Sequence, residues 1–208
     1  MGPTTQEPPS QDPRDALRAR TRGLLESIVR PLARAGVSPN VLTVVGFLAM
    51  VGVAWVLALG HQRLAGLLII FVGLFDALDG ALARMTGEAS AFGAFLDSTL
   101  DRFAEIALYL GLLYLYRGDT LATVLVYLTI TGSLMVSYTR ARAEGLGLDC
   151  KVGLFTRLER LAVLIVGLIL ERTLWALVVL AIFSNLTALQ RMWHVRGAAA
   201  EESSERPH

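Results

Sequence analysis

Cysteine, histidine and lysine are scarce in this chain: one cysteine, three histidines and, among nineteen basic residues, a single lysine, Lys151. The lone Cys150 excludes an internal disulfide and reads as a small apolar residue near an interface. His61 falls at the far end of the apolar stretches and His194 and His208 in or near the tail, so no catalytic histidine is evident. A net charge of +1, with arginines spread over several short segments and no basic face interleaved with aromatics, argues against a nucleic-acid partner. The first dozen residues, MGPTTQEPPSQD, lack the basic-then-apolar layout of a signal peptide. They are polar and proline-rich, and a disordered tail is expected over 1–12, with another over 197–208.

Apolar residues are plentiful instead. With 54% hydrophobic residues and a mean hydropathy of +0.54 in 208 residues, the expected fold is an all-α integral membrane protein with one domain, over 13–196. Six arginines stand among Leu, Ile and Val between Pro13 and Ala35, with Leu17, Leu24, Leu25, Ile28 and Leu32 near one stripe. This spacing predicts an amphipathic juxtamembrane helix over 13–36 lying on the bilayer. Six spanning helices are expected from about 41 to 192. Val41–Leu59, Thr120–Thr139 and Thr173–Gln190 are uncharged throughout and suit lipid. The other three have short uncharged runs, Leu64–Phe75, Ile106–Tyr116 and Leu161–Leu170, each extended by a charged half that must face a cavity. Sixteen of the nineteen basic residues fall on the side of both termini, which predicts cytoplasmic termini in the cell inner (plasma) membrane and a polar cup open to the cytoplasm.

The cup's chemistry lies between Asp76 and Asp101. Asp76 and Asp79 sit about 60° apart on a helix, with Gly80, Ala83 and Arg84 continuing that face. Asp97 and Asp101 share the face of the next helix. If the short bridge folds back as a hairpin, four carboxylates converge, and they cannot all ionise at close range without compensation. An all-oxygen donor set points to a hard ion, Mg2+ or Mn2+, and two ions fit four carboxylates best. Gly80 and Ala83 leave room for a phosphate to approach the backbone, and Arg84 offers a planar fork of donors, so the face reads as a diphosphate site. For any one Asp–Arg pair, a plain helix-end salt bridge is the competing account.

The same residues resemble the signature of the CDP-alcohol phosphotransferases, D-x-x-D-G-x-x-A-R, eight residues, then G-x-x-x-D-x-x-x-D. Asp76, Asp79, Gly80, Ala83, Arg84, Gly93, Asp97 and Asp101 all fall in register. The resemblance implies transfer of a phosphoalcohol group from a CDP-linked donor to a hydroxyl, with CMP leaving, at two metal ions held by Asp76, Asp79, Asp97 and Asp101. It also assigns Asp101 as the general base and suggests a homodimer. Asn40 and Thr43, in SPNVLT, and Ser90 are implied as further contacts to the CDP-lipid; Ser38 and Asn40 equally suit a helix cap.

For the acceptor, the segment around SYTRARAEGLGL is similar to the phosphatidylinositol phosphate synthase branch, which implies CDP-diacylglycerol as donor and inositol 1-phosphate as acceptor. The phosphatidylglycerophosphate synthase branch usually has a proline and a lysine where this chain has Ser98 and Arg102. Arg140, Arg157 and Arg160 are the expected acceptor-phosphate residues, although positive-inside loops carry arginines anyway. Arg140 stands where the branch usually has lysine, and Thr156-Arg157 replaces an acidic-basic pair. A small cation transporter would also bury carboxylates, but the Gly80, Ala83, Arg84 set has no evident use in a cation path.

Overall fold

A computed structural model describes residues 25–205, and side chains as far as residue 200. The tail expected at 1–12 and the first half of the amphipathic helix lie outside the described residues. All elements among the described residues are α-helices: α1 (residues 25–34), α2 (Pro39–Ala58), α3 (Gln62–Thr86), α4 (Ala91–Leu115), α5 (Thr120–Glu144), α6 (Arg157–Ile169) and α7 (Thr173–Glu205). The last of these departs from expectation, because residues 197–205 continue α7 where a disordered tail is expected. The run GAAAEE explains the extension, since alanine and glutamate favour the helix without needing a packing partner.

Local chemistry sets the helix ends. Pro39 occupies the first turn of α2, where its missing N–H is no loss. Ser38 takes the N-cap position but makes no side-chain cap hydrogen bond. Gly87, at φ 72°, ends α3 in the left-handed region that glycine adopts without strain. Asp119 caps α5 by accepting from the Ala122 amide at 3.0 Å, and the Glu159 carboxylate accepts from the Thr156 amide at 2.9 Å to open α6.

α2 packs against both α3 and α4, α6 lies against α3 and α7, and α5 packs on α7. A shared core joins Leu57 of α2, Ile69 of α3, Leu108 and Leu112 of α4, Leu168 of α6 and Leu177 of α7. Two glycines permit the closest approaches. A Cβ on Gly111 would stand 2.5 Å from the Ala54 carbonyl oxygen, and one on Gly132 would stand 2.6 Å from Asn185 Nδ2. Both therefore serve helix packing inside one chain. α1 lies across the ends of α2 and α3, burying Val29 among Leu42, Ala81 and Leu82, with Leu25 and Leu32 beside it. Ile28, on the apolar stripe expected to lie on the bilayer, is 54% exposed, whereas Val29 points into the protein. Leu17 and Leu24 lie outside the described residues.

Among the described residues, four helices are long and apolar enough to cross a membrane: α2, α3, α5, and α7 over Thr173–Ala200. Trp55, Tyr127 and Trp175 project from three of them, each at least 67% exposed, as an apolar solvent permits. α4 falls short in composition because Asp97, Asp101, Arg102 and Glu105 lie along it. α6 falls short in length: its 13 residues span only ~20 Å against a hydrocarbon core of ~30 Å. The irregular stretch before α6 is held by α7, where Arg191 Nε donates to the Val152 carbonyl at 2.8 Å and Arg191 Nη1 to the Val136 carbonyl. The first bond gives the irregular segment a backbone partner, and the second ties α7 to α5.

Candidate active site

The four-residue connection from Thr86 to Ala91 turns the chain back, as the hairpin reading expects. The two aspartate helices then lean on α2 rather than packing along each other. The gap left between their ends is a cavity of about 230 Å³. Asp79 and Asp97 line it from opposite walls, with Gly80 and Arg84 on the α3 side and Asn40 and Thr43 on the α2 side. Ser90 lines it too and caps α4, its Oγ accepting from the Gly93 amide at 3.0 Å. Every residue expected to contact the CDP-lipid donor thus meets in one place. A Cβ on Gly93 would come within 3.1 Å of Asn40 Oδ1 and Ser90 Oγ, so the glycine keeps those two polar groups close to the helix. Glu88, which the sequence reading passes over, also lines this cavity. Its only signal was its position in the bridge.

Thr43 does more than line the wall. Its hydroxyl lies 2.8 Å from Asp79 Oδ2 and 3.2 Å from the Pro39 carbonyl, and one proton cannot serve both. The shorter, charge-assisted bond to the carboxylate is the stronger, so Thr43 orients Asp79.

The four signature aspartates interact electrostatically: Asp97 with Asp76 and Asp79, and Asp101 with Asp76 and Asp97. Among the described residues, no three acidic, histidine or cysteine side chains close around a single point. Arg157 explains part of that spacing. Its Nη1 lies 2.8 Å from Asp76 Oδ2 and 2.6 Å from Asp101 Oδ2, placing a positive charge between carboxylates from α3 and α4. A donor set made only of carboxylate oxygens, already drawing in a cation, fits a hard divalent ion.

A second cavity, of about 440 Å³, is lined by Arg102 of α4, Arg140 of α5, Arg157 and Arg160 of α6, and Arg191 of α7. The three arginines expected at the acceptor are all present, but they are not equivalent. Arg160 is fully buried, with Nε and Nη2 donating to the two Glu105 carboxylate oxygens at 2.8 and 3.0 Å. Both ends of that bidentate pair are occupied, which corrects the expectation that Arg160 binds acceptor phosphate: its role is to tie α6 to α4. Arg140 pairs with Glu144 at 2.8 Å on an exposed helix face. Lys151, in the loop, donates to Asp149 at 2.9 Å and holds that carboxyl below its usual range. Thr156, which departs from the branch pattern, is the N-cap of α6. Arg102 and Arg191 complete the lining without having been assigned to it; Arg191 sits directly after the uncharged run of α7, a place where any positive-inside arginine would sit.

The chain is 37% identical over 183 residues to the archaetidylinositol phosphate synthase of Pyrococcus horikoshii, covering 86% of this chain and 95% of the relative. A crystal structure of Mycobacterium tuberculosis phosphatidylinositol phosphate synthase with CDP-DAG bound superposes with a TM-score of 0.78 at 32% identity, covering 82% of this chain and 92% of that one. A second crystal structure of the same enzyme, in complex with manganese and citrate, gives a TM-score of 0.78 at 32% identity, with coverage of 82% and 88%. The profile of the CDP-alcohol phosphatidyltransferases matches residues 36–193, which takes in both aspartate helices and all five arginines of the second cavity, and the chain belongs to that family.

Proposed function

We propose that this protein transfers the phosphatidyl group of CDP-diacylglycerol to a hydroxyl of inositol 1-phosphate and releases CMP. The observation that carries this is the pair of cavities flanking one set of carboxylates: Asp79 and Asp97 open to the first, and Arg157, on the wall of the second, reaches Asp76 and Asp101. A donor diphosphate suits the first cavity and an anionic acceptor the second. The named relatives support the acceptor, since the archaeal and mycobacterial enzymes differ in lipid name but share inositol phosphate. A phosphatidylglycerophosphate synthase would need the same donor cavity with a different second one.

Two divalent ions, Mg2+ or Mn2+, held by Asp76, Asp79, Asp97 and Asp101 would neutralise the donor diphosphate and the departing CMP. The residues of the chain do the rest. Arg84 holds diphosphate oxygens with its planar fork, and Gly80 beside it lets the phosphate come close to the α3 backbone. Asn40, Thr43 and Ser90 fix the nucleotide end. Asp101 takes the proton from the acceptor hydroxyl. The freed oxygen attacks the lipid-side phosphorus, and the bond from that phosphorus to the bridging diphosphate oxygen breaks, so CMP leaves with the electron pair. Arg140 and Arg157 hold the acceptor's phosphate on the other side.

Four apolar helices in a chain of this family make a multi-pass membrane protein. We extend this to six crossings, with α4 and α6 spanning inside the bundle where their charged halves face the cup. Cytoplasmic termini, an inner-membrane location and a homodimer complete the reading. The test is product identification. Purified protein with CDP-diacylglycerol and Mg2+ is offered inositol 1-phosphate, glycerol 3-phosphate, serine or inositol separately, and lipid product with CMP is expected from the first alone. CMP release only with glycerol 3-phosphate would move the protein to the other branch. Ion flux without CMP release would make it a transporter.

A further inference from the structure

The five arginines of the second cavity separate when their hydrogen bonds are followed one by one. Arg160 is bound to Glu105, Arg140 to Glu144, Arg157 to Asp76 and Asp101, and Arg191 to the Val136 and Val152 carbonyls. Arg102 is the exception. No hydrogen bond runs from its guanidinium to any of the described residues, and its Nη1 is shut off from solvent without an acceptor. The nearest carboxylate oxygen is Asp101 Oδ2 at 3.7 Å, beyond hydrogen-bond reach and already held by Arg157 at 2.6 Å. Asp101 is thus shared between two guanidinium groups, and the cavity wall itself carries five arginines against one carboxylate, Glu144.

A charged donor kept from water without a partner is destabilising by about 1–3 kcal/mol or more, and folded proteins retain few of them. The arrangement is explained if the missing acceptor arrives with a ligand. A phosphate monoester suits it best, because it brings close to two negative charges and three terminal oxygens to a wall lined by five arginines, where the Arg102 side chain is still 29% exposed. Resting on the function proposed above, we infer that Arg102 is a specificity-determining residue of the acceptor cavity: its unpartnered guanidinium takes the phosphate of a phosphorylated polyol.

The rival account is that Arg102 serves only as a charge beside Asp101, and kinetics separate the two. In the full-length protein, Arg102→Gln is compared with the parent for kcat and KM with inositol 1-phosphate, and for inhibition by inorganic phosphate and by CMP. Loss of a charge-assisted contact raises KM for the acceptor about thirtyfold and weakens phosphate inhibition to the same extent, while CMP inhibition is unchanged. A fall in kcat with KM and phosphate inhibition unaltered would assign Arg102 to Asp101 and overturn the inference, as would a parent that inorganic phosphate does not inhibit. If Arg102→Gln loses CMP inhibition as well, it is misfolded, and Arg102→Lys decides: a several-fold rise in KM and in the phosphate inhibition constant supports the assignment, and parent-like values of both overturn it. Failure of the underlying function would appear earlier, in a parent that turns over no phosphorylated polyol.

Discussion

The donor-side cavity is walled by residues close together in sequence, the first turns of α2 and the Asp79–Asp97 stretch, with glycines and alanines between the polar groups. The arginine cavity draws long side chains from α4, α5, α6 and α7, and four of its five guanidinium groups are hydrogen-bonded to the protein itself. The contrast has a physical origin. A metal-bound diphosphate needs carboxylates and close backbone approach, which two helix ends joined by a short turn supply locally. An anionic polyol needs cations held apart from one another, and keeping several guanidinium groups together before the ligand arrives requires carboxylates and carbonyls from elsewhere in the fold.

If that division of labour is right, its most severe disruption is on the donor side. Asp97→Asn should abolish transfer while membrane insertion persists, and EDTA should do the same to the parent; radiolabelled product formation beside membrane fractionation measures both. Normal turnover of Asp97→Asn at saturating Mg2+ would mean that the ions are not held there.

The next largest effect is on stability and belongs to the arginine side. Glu105→Leu leaves Arg160, 1% exposed, as a buried charge without its carboxylate. Removing one partner of a buried pair typically destabilises by about 3–5 kcal/mol, so thermal unfolding in detergent should shift markedly downward. An unchanged transition would show that the pair is not what ties α4 to α6.

Asp101 belongs to both sides, and Asp101→Asn tests that position. CDP-lipid binding by calorimetry should survive, since asparagine still offers an oxygen to a metal ion, while transfer falls by at least about a hundredfold. Loss of binding together with rate would make Asp101 chiefly a donor-side ligand.

Smaller effects sharpen the line between the cavities. Arg84→Lys replaces a planar fork by a point charge and should raise KM for the CDP-lipid about tenfold, leaving KM for the acceptor alone. Should the acceptor's KM move instead, Arg84 serves the wrong cavity. Thr43→Val removes the hydroxyl that orients Asp79 and should weaken donor use about fivefold, the scale of one hydrogen bond. A parent-like donor titration would reduce Thr43 to a helix residue bonded to Pro39.

How much was legible in the sequence follows the same division. Six helical segments, their order and the aspartate register could be read directly, because hydrophobic runs and the spacing of Asp76, Asp79, Asp97 and Asp101 are local properties that a 3.6-residue period translates into faces. Asn40, Thr43 and Ser90 were found through resemblance and meet in one cavity because the turn after Gly87 is short. The packing of Val29 of α1 against Leu42, Ala81 and Leu82 could not be read from the stripe, because it depends on where α2 and α3 stand.

The sequence by itself determined an apolar, helical membrane chain with four carboxylates in local register and most of its arginines outside the uncharged runs. Only the tertiary structure decided what each arginine does. Arg160 meets Glu105 across 55 residues and Arg157 meets Asp76 across 81, and no periodicity reports on pairs so distant. The same pairings leave Arg102 without an acceptor. Charge type is written in the residue, but whether a charge is spent on the protein or kept for a ligand depends on which partners packing brings within about 3 Å.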